Sequence, residues 1–427
     1  MAFGVDLSVI IPALHEGPNL TLLLPLLIRV LDGLGIRYEV LIITRGQDRQ
    51  SREAAARYGA RLVEQSVPGY GGALVTGFAM ASGAYLLTMD ADLSHAPEFI
   101  VELWRRRNNA EITIASRYVP GGTASMPAVR YLMSRALNLF FSRGLDLPFR
   151  DMSSGFRLYK ASAIRGERFT ARTFAILQII LVRGYVQGWR IQEVPFHYAP
   201  RMHGRSTARL LSFAADYLRA FRSLWRLRNS IDSGDYDDRA YDSRIPMQRY
   251  WQRARVRHIT ELTSGEGPVL DVGCGSSRII GALPPGSVAL DVLVRKLRYA
   301  RKYAKHLVQA SGFALPFADA SFRCVLCSEV IEHVPKDSRI LDELCRVLAP
   351  GGRLVLGTPD YGRWEWVVTE KLYAWIVPGG YADEHMSHYT FPELNANFRQ
   401  RGFVLEETRY ILQGEMIMAF RKPRTGG

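Results

Sequence analysis

Residues 86–95 read LLTMDADLSH. An apolar run that ends in Asp90 and Asp92 has the pattern of a buried strand delivering charge to the edge of a sheet. In an extended chain alternate side chains share a face, so the two carboxylates are expected to point the same way. They repel each other unless a cation lies between them. Hard divalent ions such as Mg2+ or Mn2+ favour oxygen ligands and keep phosphate oxygens in their remaining positions. Ligands also collect at the C-terminal edge of a parallel α/β sheet. The DAD is therefore a candidate metal–diphosphate site. The blander reading is that one Asp caps a helix starting near Pro97.

Working outward, strand and helix signals alternate. LSVIIP (7–12), YEVLIIT (38–44), ARLVEQ (60–65), AYLLTM (84–89), ITIASRY (112–118) and WRIQEVPFHY (189–198) read as strands. Residues 19–33, 51–58, 71–82, 129–143 and 172–185 read as helices. This βαβ series predicts a mostly parallel sheet covered by helices. Residues 209–228 predict an amphipathic helix, with Leu211, Ala214, Ala215, Leu218, Phe221 and Trp225 on one face and Arg on the other. The acid-rich DSGDYDDRAYD (232–242) then breaks the pattern. Alternation restarts with PVLDVGCG, VALDV (288–292), FRCVLCSEV (322–330) and GGRLVLGTP (351–359). Two α/β domains are expected, residues 1–230 and 231–427.

The 427 residues suffice for two full cores, and 48% hydrophobic with 22% charged residues is ordinary for globular protein. Cys324 and Cys327 form a CxxC, but on a strand positions i and i+3 face opposite ways, so a disulfide or zinc site there is not expected. Reduced thiols and a cytoplasmic location are. A net charge of +14 points to an anionic partner. No nucleic-acid module is recognisable. No signal peptide precedes the first strand, and no apolar run reaches the ~20 residues of a membrane span. An Arg-faced helix at 209–228 fits peripheral attachment to the cytoplasmic face of a membrane, or packing on its own domain.

VLDVGCGSSRII (269–280) sets a Gly-rich turn between strand and helix, where backbone N–H groups approach a ligand. Asp291 closes the next strand, where a carboxylate can accept ribose hydroxyls. Together with LPFADASF (315–322), SEVIEHV (328–334) and LAPGGRLVLGTP (348–359), these motifs resemble the class I S-adenosylmethionine-dependent methyltransferases. The resemblance implies a Rossmann-like domain in which Asp271, Gly273 and Gly275 hold the amino-acid end of S-adenosylmethionine and Asp291 its ribose. The family's Asp before the adenine is replaced by QASGF (309–313), and its Asp after "SF" is Arg323. His333, His385 and His388 are candidate bases for methyl transfer to a hydroxyl. EHMSH (384–388) shows no evident third ligand for a metal.

In the first domain VIIPALHEGPNL (9–20), PGYGGALVTGF (68–78), MDADLSH (89–95), IASRYVPGG (114–122), DMSSGFRLYK (151–160) and EVPFHYAPRMHGRS (193–206) occur in order. They resemble family 2 glycosyltransferases of GT-A fold, the dolichyl- or polyprenyl-phosphate mannose synthase group. The resemblance implies a nucleotide-sugar donor, a polyprenyl or dolichyl phosphate acceptor, and Mg2+ or Mn2+ at Asp90 and Asp92. It further implies a catalytic role for Asp92 and Arg117, and substrate binding by Pro12, Glu16, Gly71, Asp90, Arg201, Arg205 and Ser206. Arg117, Arg201 and Arg205 suit an acceptor phosphate, which Arg binds bidentately. Two positions depart. The family's second strand ends in an Asp pair, where this chain has Thr44 and Arg45, with Asp48 as a distant substitute. The Lys after Gly-x-Ser is Thr207. The expected protein is a bifunctional enzyme, hexosyltransferase and methyltransferase. The alternative is a first domain that only binds a sugar or lipid phosphate for a small-molecule methyltransferase.

Overall fold

The computed structural model describes residues 4–46, 48–170, 172–200, 214–376 and 385–424. The chain divides into two compact units, residues 1–185 with 189–225, and residues 186–188 with 226–427.

The first unit holds β1 (Leu7–Pro12), β2 (Tyr38–Thr44), β3 (Arg61–Glu64), β4 (Tyr85–Thr88), β5 (Ile112–Ser116), β6 (Thr123–Ala124), β7 (Arg157–Lys160), β8 (Ile191–Pro195) and β9 (His197–Tyr198). Its main sheet runs β3-β2-β1-β4-β7-β5-β8, and β6 pairs with β9. β1 is buried on both sides, which its largely apolar run anticipates. Leu7, Val9 and Ile11 share a core with Leu20, Leu23, Leu24, Leu27 and Leu31 of the helix Gly17–Gly33. On the other face Gly77 of the helix Tyr70–Met80 lies so close that a Cβ there would be 2.3 Å from Ile10 Cγ2. Each fully buried Leu of this layer contributes about 1.5–3 kcal/mol of transfer free energy.

β7 runs antiparallel to both β4 and β5. Nothing in RLYK announces a central strand, because it is four residues long and opens on Arg157. The side chain is fully buried and donates to the carbonyls of Leu177 (2.8 Å) and Met152 (2.7 Å).

The amphipathic helix begins within the described residues at Ala214 and ends at Asn229. It buries Tyr217, Ala220 and Leu224 rather than the face the sequence singles out, and leaves Leu218 and Trp225 exposed.

The second unit holds β10 (Val269–Val272), β11 (Val288–Asp291), β12 (His306–Gln309), β13 (Phe322–Ser328), β14 (Leu348–Pro359), β15 (Val404–Ile411) and β16 (Glu415–Arg421), in the order β12-β11-β10-β13-β14-β16-β15. β16 is antiparallel to β14 and β15. Cys324 and Cys327 belong to different cores, one on each face of β13, as their spacing on a strand requires. The acid-rich stretch is not a solvated linker. Asp235 forms a buried pair with Arg228. Asp238 accepts from Arg278 (2.7 Å), Tyr299 (2.9 Å) and Lys302 (3.0 Å).

Candidate active sites

In the first domain β4 stops at Thr88, so Asp90 and Asp92 stand on the turn beyond it rather than on an extended strand. The expectation of an extended strand end at Asp90 and Asp92 is corrected accordingly. Asp90 is the accessible one, its side chain 28% exposed. Asp92 is buried, and its Oδ1 accepts from the Ser94 backbone N–H at 3.1 Å and from the Ser94 hydroxyl. Leu93 between them adopts φ +62, the left-handed conformation that lets the turn close.

The Asp90 backbone N–H donates to His95 Nδ1 at 2.9 Å, which assigns the ring proton to Nε2, 3.9 Å from Asp90 Oδ2. His95 is held by stacking on Phe156, ring centroids 4.9 Å apart. The Tyr70 hydroxyl lies 3.4 Å from Asp90 Oδ1. Gly155 of SSGF backs the same carboxylate, since a Cβ there would come 2.6 Å from the Tyr70 hydroxyl and 3.5 Å from Asp90 Oδ1. The sequence did not single out Tyr70, His95 or Gly155 individually, although all three lie inside the quoted motifs. Two carboxylates at a sheet edge supply fewer oxygens than a six-coordinate cation takes, leaving positions for a diphosphate. The chemistry of the Asp90 and Asp92 donors thus suits a hard divalent ion.

Arg117 stands differently from its expected role. Its Nε and Nη2 donate to the two oxygens of Asp151 at 2.7 and 2.6 Å, and Nη2 also to Ser153 at 2.7 Å. Burial by itself would push the Asp151 carboxyl up. The Arg117 guanidinium outweighs that and holds it below the usual range. As placed, Arg117 is a buried structural partner of Asp151, not an open phosphate anchor. Pro12 ends β1. Glu16 flanks the helix Gly17–Gly33 and accepts from Asn19 at 2.5 Å. Gly71 is buried in the first turn of the helix Tyr70–Met80 and donates its N–H to Arg172 O at 3.0 Å. Arg201, Arg205 and Ser206 lie outside the described residues. Thr44 is buried at the end of β2, and Arg45 is exposed. Asp48 does not replace the missing acids, because it caps the helix Arg49–Arg57 through the N–H groups of Gln50 and Ser51.

In the second domain a cavity of about 500 Å³ opens over the C-terminal ends of β10 and β11. Asp271, Gly273, Gly275 and Asp291 all line it. Gly273 and Gly275 have φ +76 and +57, and a Cβ at Gly273 would come 2.2 Å from Val330 Cγ2. Asp291 accepts from the N–H of Gly275 (2.9 Å) and of Leu293 (2.7 Å), which fixes the carboxylate at the strand end. Burial, and then Asp291, pushes the Asp271 carboxyl up to about 7. A buried acid pair of this kind suits a ligand that carries positive charge.

The acid-rich segment supplies an unforeseen member. Asp237 accepts from the Ser276 N–H (2.9 Å) and from Lys296 (3.0 Å), and it lines the cavity. Of the candidate bases, His333 and His385 line the cavity and His388 is exposed. His385 Nδ1 sits 2.9 Å from Glu370 Oε1 and 2.7 Å from the Tyr361 hydroxyl. Burial lowers the His385 pKa, partly opposed by Glu370, so the neutral ring is favoured.

Each of the two α/β units thus gathers polar residues beyond the strand ends of its sheet. Residues 8–166 match the family model of glycosyl transferase family 2, and residues 270–356 match that of a methyltransferase domain. The chain is 32% identical to dolichol-phosphate mannosyltransferase of Pyrococcus furiosus over 239 residues, 53% of this chain and 66% of that protein, so it spans about two thirds of that relative. It is 26% identical to the dolichyl-phosphate hexose transferase of Haloferax volcanii, covering 46% of this chain and 84% of the relative. It is 30% identical to an uncharacterized methyltransferase of Mycobacterium sp., covering 43% of this chain and 68% of the relative. Glucosyl-3-phosphoglycerate synthase of Mycobacterium tuberculosis, solved with Mn2+ and UDP among its ligands, covers 52% of this chain and 80% of its own at 18% identity and TM-score 0.43. The chain belongs to glycosyl transferase family 2 in its N-terminal domain and to the methyltransferases in its C-terminal domain, and it is an enzyme of both kinds.

Proposed function

We propose that residues 1–230 transfer a hexose, mannose-type by preference, from a nucleotide sugar to a polyprenyl or dolichyl phosphate. Residues 231–427 methylate a sugar or a related glycan–lipid intermediate with S-adenosylmethionine. The observation that carries the reading is the accessible Asp90 at the sheet edge of a family 2 domain whose relatives include two dolichyl-phosphate sugar transferases. The chemistry needs no catalytic base. A phosphate monoester has a second pKa of about 6 and is already ionised near neutrality. It can displace the diphosphate at the anomeric carbon directly, so the domain's task is positioning. A cation held by Asp90 and Asp92 would supply positive charge for the departing diphosphate. A thermal-shift panel of GDP-, UDP- and dTDP-sugars with and without Mn2+ tests the donor side. Metal-dependent stabilisation by one donor is expected, and no stabilisation by any would count against it.

A second reading keeps the first domain as a binding module. What favours it is Thr44, buried at the end of β2 with its hydroxyl unpartnered among the described residues, where the resemblance leads one to expect an acid.

A lipid acceptor calls for a membrane-facing surface. The helix Ala128–Gly144 exposes Val129, Leu132, Leu139 and Phe140, interleaved with exposed Arg135 and Arg143. Apolar and basic residues so mixed suit an anionic bilayer surface. No helix among the described residues is long and apolar enough to cross a membrane. Replacing Leu132 and Leu139 together by Glu removes ~3 kcal/mol of apolar burial and should weaken sedimentation with anionic vesicles by about a hundredfold. Unchanged sedimentation would exclude this face.

For the cofactor, Asp271 would meet a cationic amino-acid end and Asp291 the ribose hydroxyls, a reading supported by their burial at the edge of one cavity. S-adenosylmethionine would supply a methyl group on a sulfonium. The pH dependence follows from Asp271. Its folded value, about 7, lies above its ordinary 3.8, so ionising it costs stability as pH rises through that window. A cationic ligand favours the ionised form. Affinity should therefore rise about tenfold between pH 6 and 8 and level off above. Calorimetric titration checks this, and Asp271→Asn should flatten the profile.

A further inference from the structure

The fold does not complete a metal site on EHMSH; it brings His385 alone out of that stretch to two residues from elsewhere. Ligand-capable atoms of Glu332, His333 and His385 lie within 4.8 Å of one another. Glu332 and His333 sit together on the single turn Ile331–His333 after β13, so adjacent residues present a carboxylate and an imidazole to one point. Glu332 is fully buried. Its Oε2 accepts from Thr358 at 3.0 Å, while Oε1 has no hydrogen-bond partner among the described residues. Glu329, four residues before His333, pairs through Oε2 with Arg255 at 2.9 Å and likewise leaves Oε1 unpartnered among the described residues.

The charge around this point does not balance. Arg255 is drawn to both Glu329 and Glu415. Glu332 is left without a guanidinium of its own among the described residues, a costly place for an ionised carboxylate. Such a cluster takes up protons or a cation. The imidazoles argue for the cation. His385 Nδ1 is turned to Glu370 at 2.9 Å, which directs its proton there and leaves Nε2 as the lone-pair nitrogen. A carboxylate behind an imidazole is the outer-shell arrangement of metal-bound histidines. Glu370 is itself steadied by the Tyr361 hydroxyl at 2.7 Å.

We propose that Glu332, His333 and His385, with Glu329 beside them, bind one divalent first-row cation within the methyltransferase cavity. Two imidazoles and carboxylate oxygen suit ions from Mn2+ to Zn2+. Four protein ligands at most leave coordination positions open toward the cavity, which His333, His385 and Glu329 line together with Gly273 and Asp291. An oxygen of the methyl acceptor would fill one of them. This last assignment rests on the methyltransferase reading, whereas the cation site does not.

The test uses the full-length chain carrying Asp90→Asn and Asp92→Asn, so that the first domain's metal site does not contribute. Co2+ is titrated calorimetrically and by its visible absorption, and S-adenosylmethionine binding is measured on the same samples. One Co2+ per chain is expected, with at least tenfold weaker binding after His333→Ala or His385→Ala and S-adenosylmethionine affinity retained. Should either variant also lose the cofactor, Glu370→Gln decides, and tenfold weaker Co2+ binding is expected from it. No Co2+ bound by the starting protein, or equal affinity in all variants, would overturn the site. Absence of S-adenosylmethionine binding by the unsubstituted chain would instead overturn the methyltransferase reading and leave the cation result standing.

Discussion

Asp90→Ala will lower hexose transfer to polyprenyl phosphate by at least about a thousandfold while methylation by the second domain continues. The carboxylate is the accessible member of the DAD, and its neighbours Tyr70, His95 and Gly155 shape the space around it. Losing a cation that neutralises a departing diphosphate removes several kcal/mol of transition-state stabilisation, and ~4 kcal/mol is about a thousandfold in rate. Asp92 requires a different substitution, because its Oδ1 also closes the turn on Ser94. Asp92→Asn keeps an oxygen for the Ser94 N–H and removes the charge. It should lose activity with little loss of stability, whereas Asp92→Ala should lose both. Steady-state rates beside thermal denaturation separate the two. Full activity in Asp90→Ala with added Mn2+ would exclude the metal role.

Asp151→Ala should cost more stability than any other single change considered. Asp151 is fully buried and meets the Arg117 guanidinium through both oxygens and the Arg117 backbone N–H at 2.9 Å. Removing it leaves an uncompensated buried cation, a loss of about 3–5 kcal/mol. For a domain of this size that is a fall in Tm of about 10 °C. The sign with pH follows. A carboxyl held below its ordinary range contributes stability that is present at neutral pH and lost as pH falls through the folded value. The variant should therefore show less acid sensitivity in this region than the parent. Calorimetry of both proteins at neutral and acid pH checks it, and equal Tm values would mean that Arg117 finds another partner.

What could be read from the sequence follows from where the physics is local. β1 matches its largely apolar run at both ends, since a strand buried on two faces must be apolar apart from polar groups that find partners, as Ser8 does on Glu39. Cys324 and Cys327 fall into separate cores because side-chain alternation on a strand is a local rule. β7 was invisible because Arg157 donates to the carbonyls of Met152 and of Leu177, the second of them twenty residues on and outside any window around RLYK. The acid-rich segment read as a boundary, yet Asp237 reaches Ser276 of the Gly-rich turn and Lys296 of the helix Val294–Ala300, partners tens of residues away. Arg117 looked available for phosphate until Asp151 was placed against it. The cation cluster escaped for the same reason. Glu332 and His333 are neighbours in sequence, but His385 joins them only through tertiary structure.

The account stands most directly on whether the first domain turns over. The full-length chain is incubated with Mn2+, polyprenyl phosphate in vesicles, and GDP-, UDP- and dTDP-hexoses in turn, and the lipid fraction is analysed by mass. The account predicts a polyprenyl-phosphate hexose from one donor, dependent on metal and absent in Asp90→Ala. A nucleotide sugar that binds with no hexose appearing on any lipid phosphate would contradict it and leave Thr44 as the mark of a binding module.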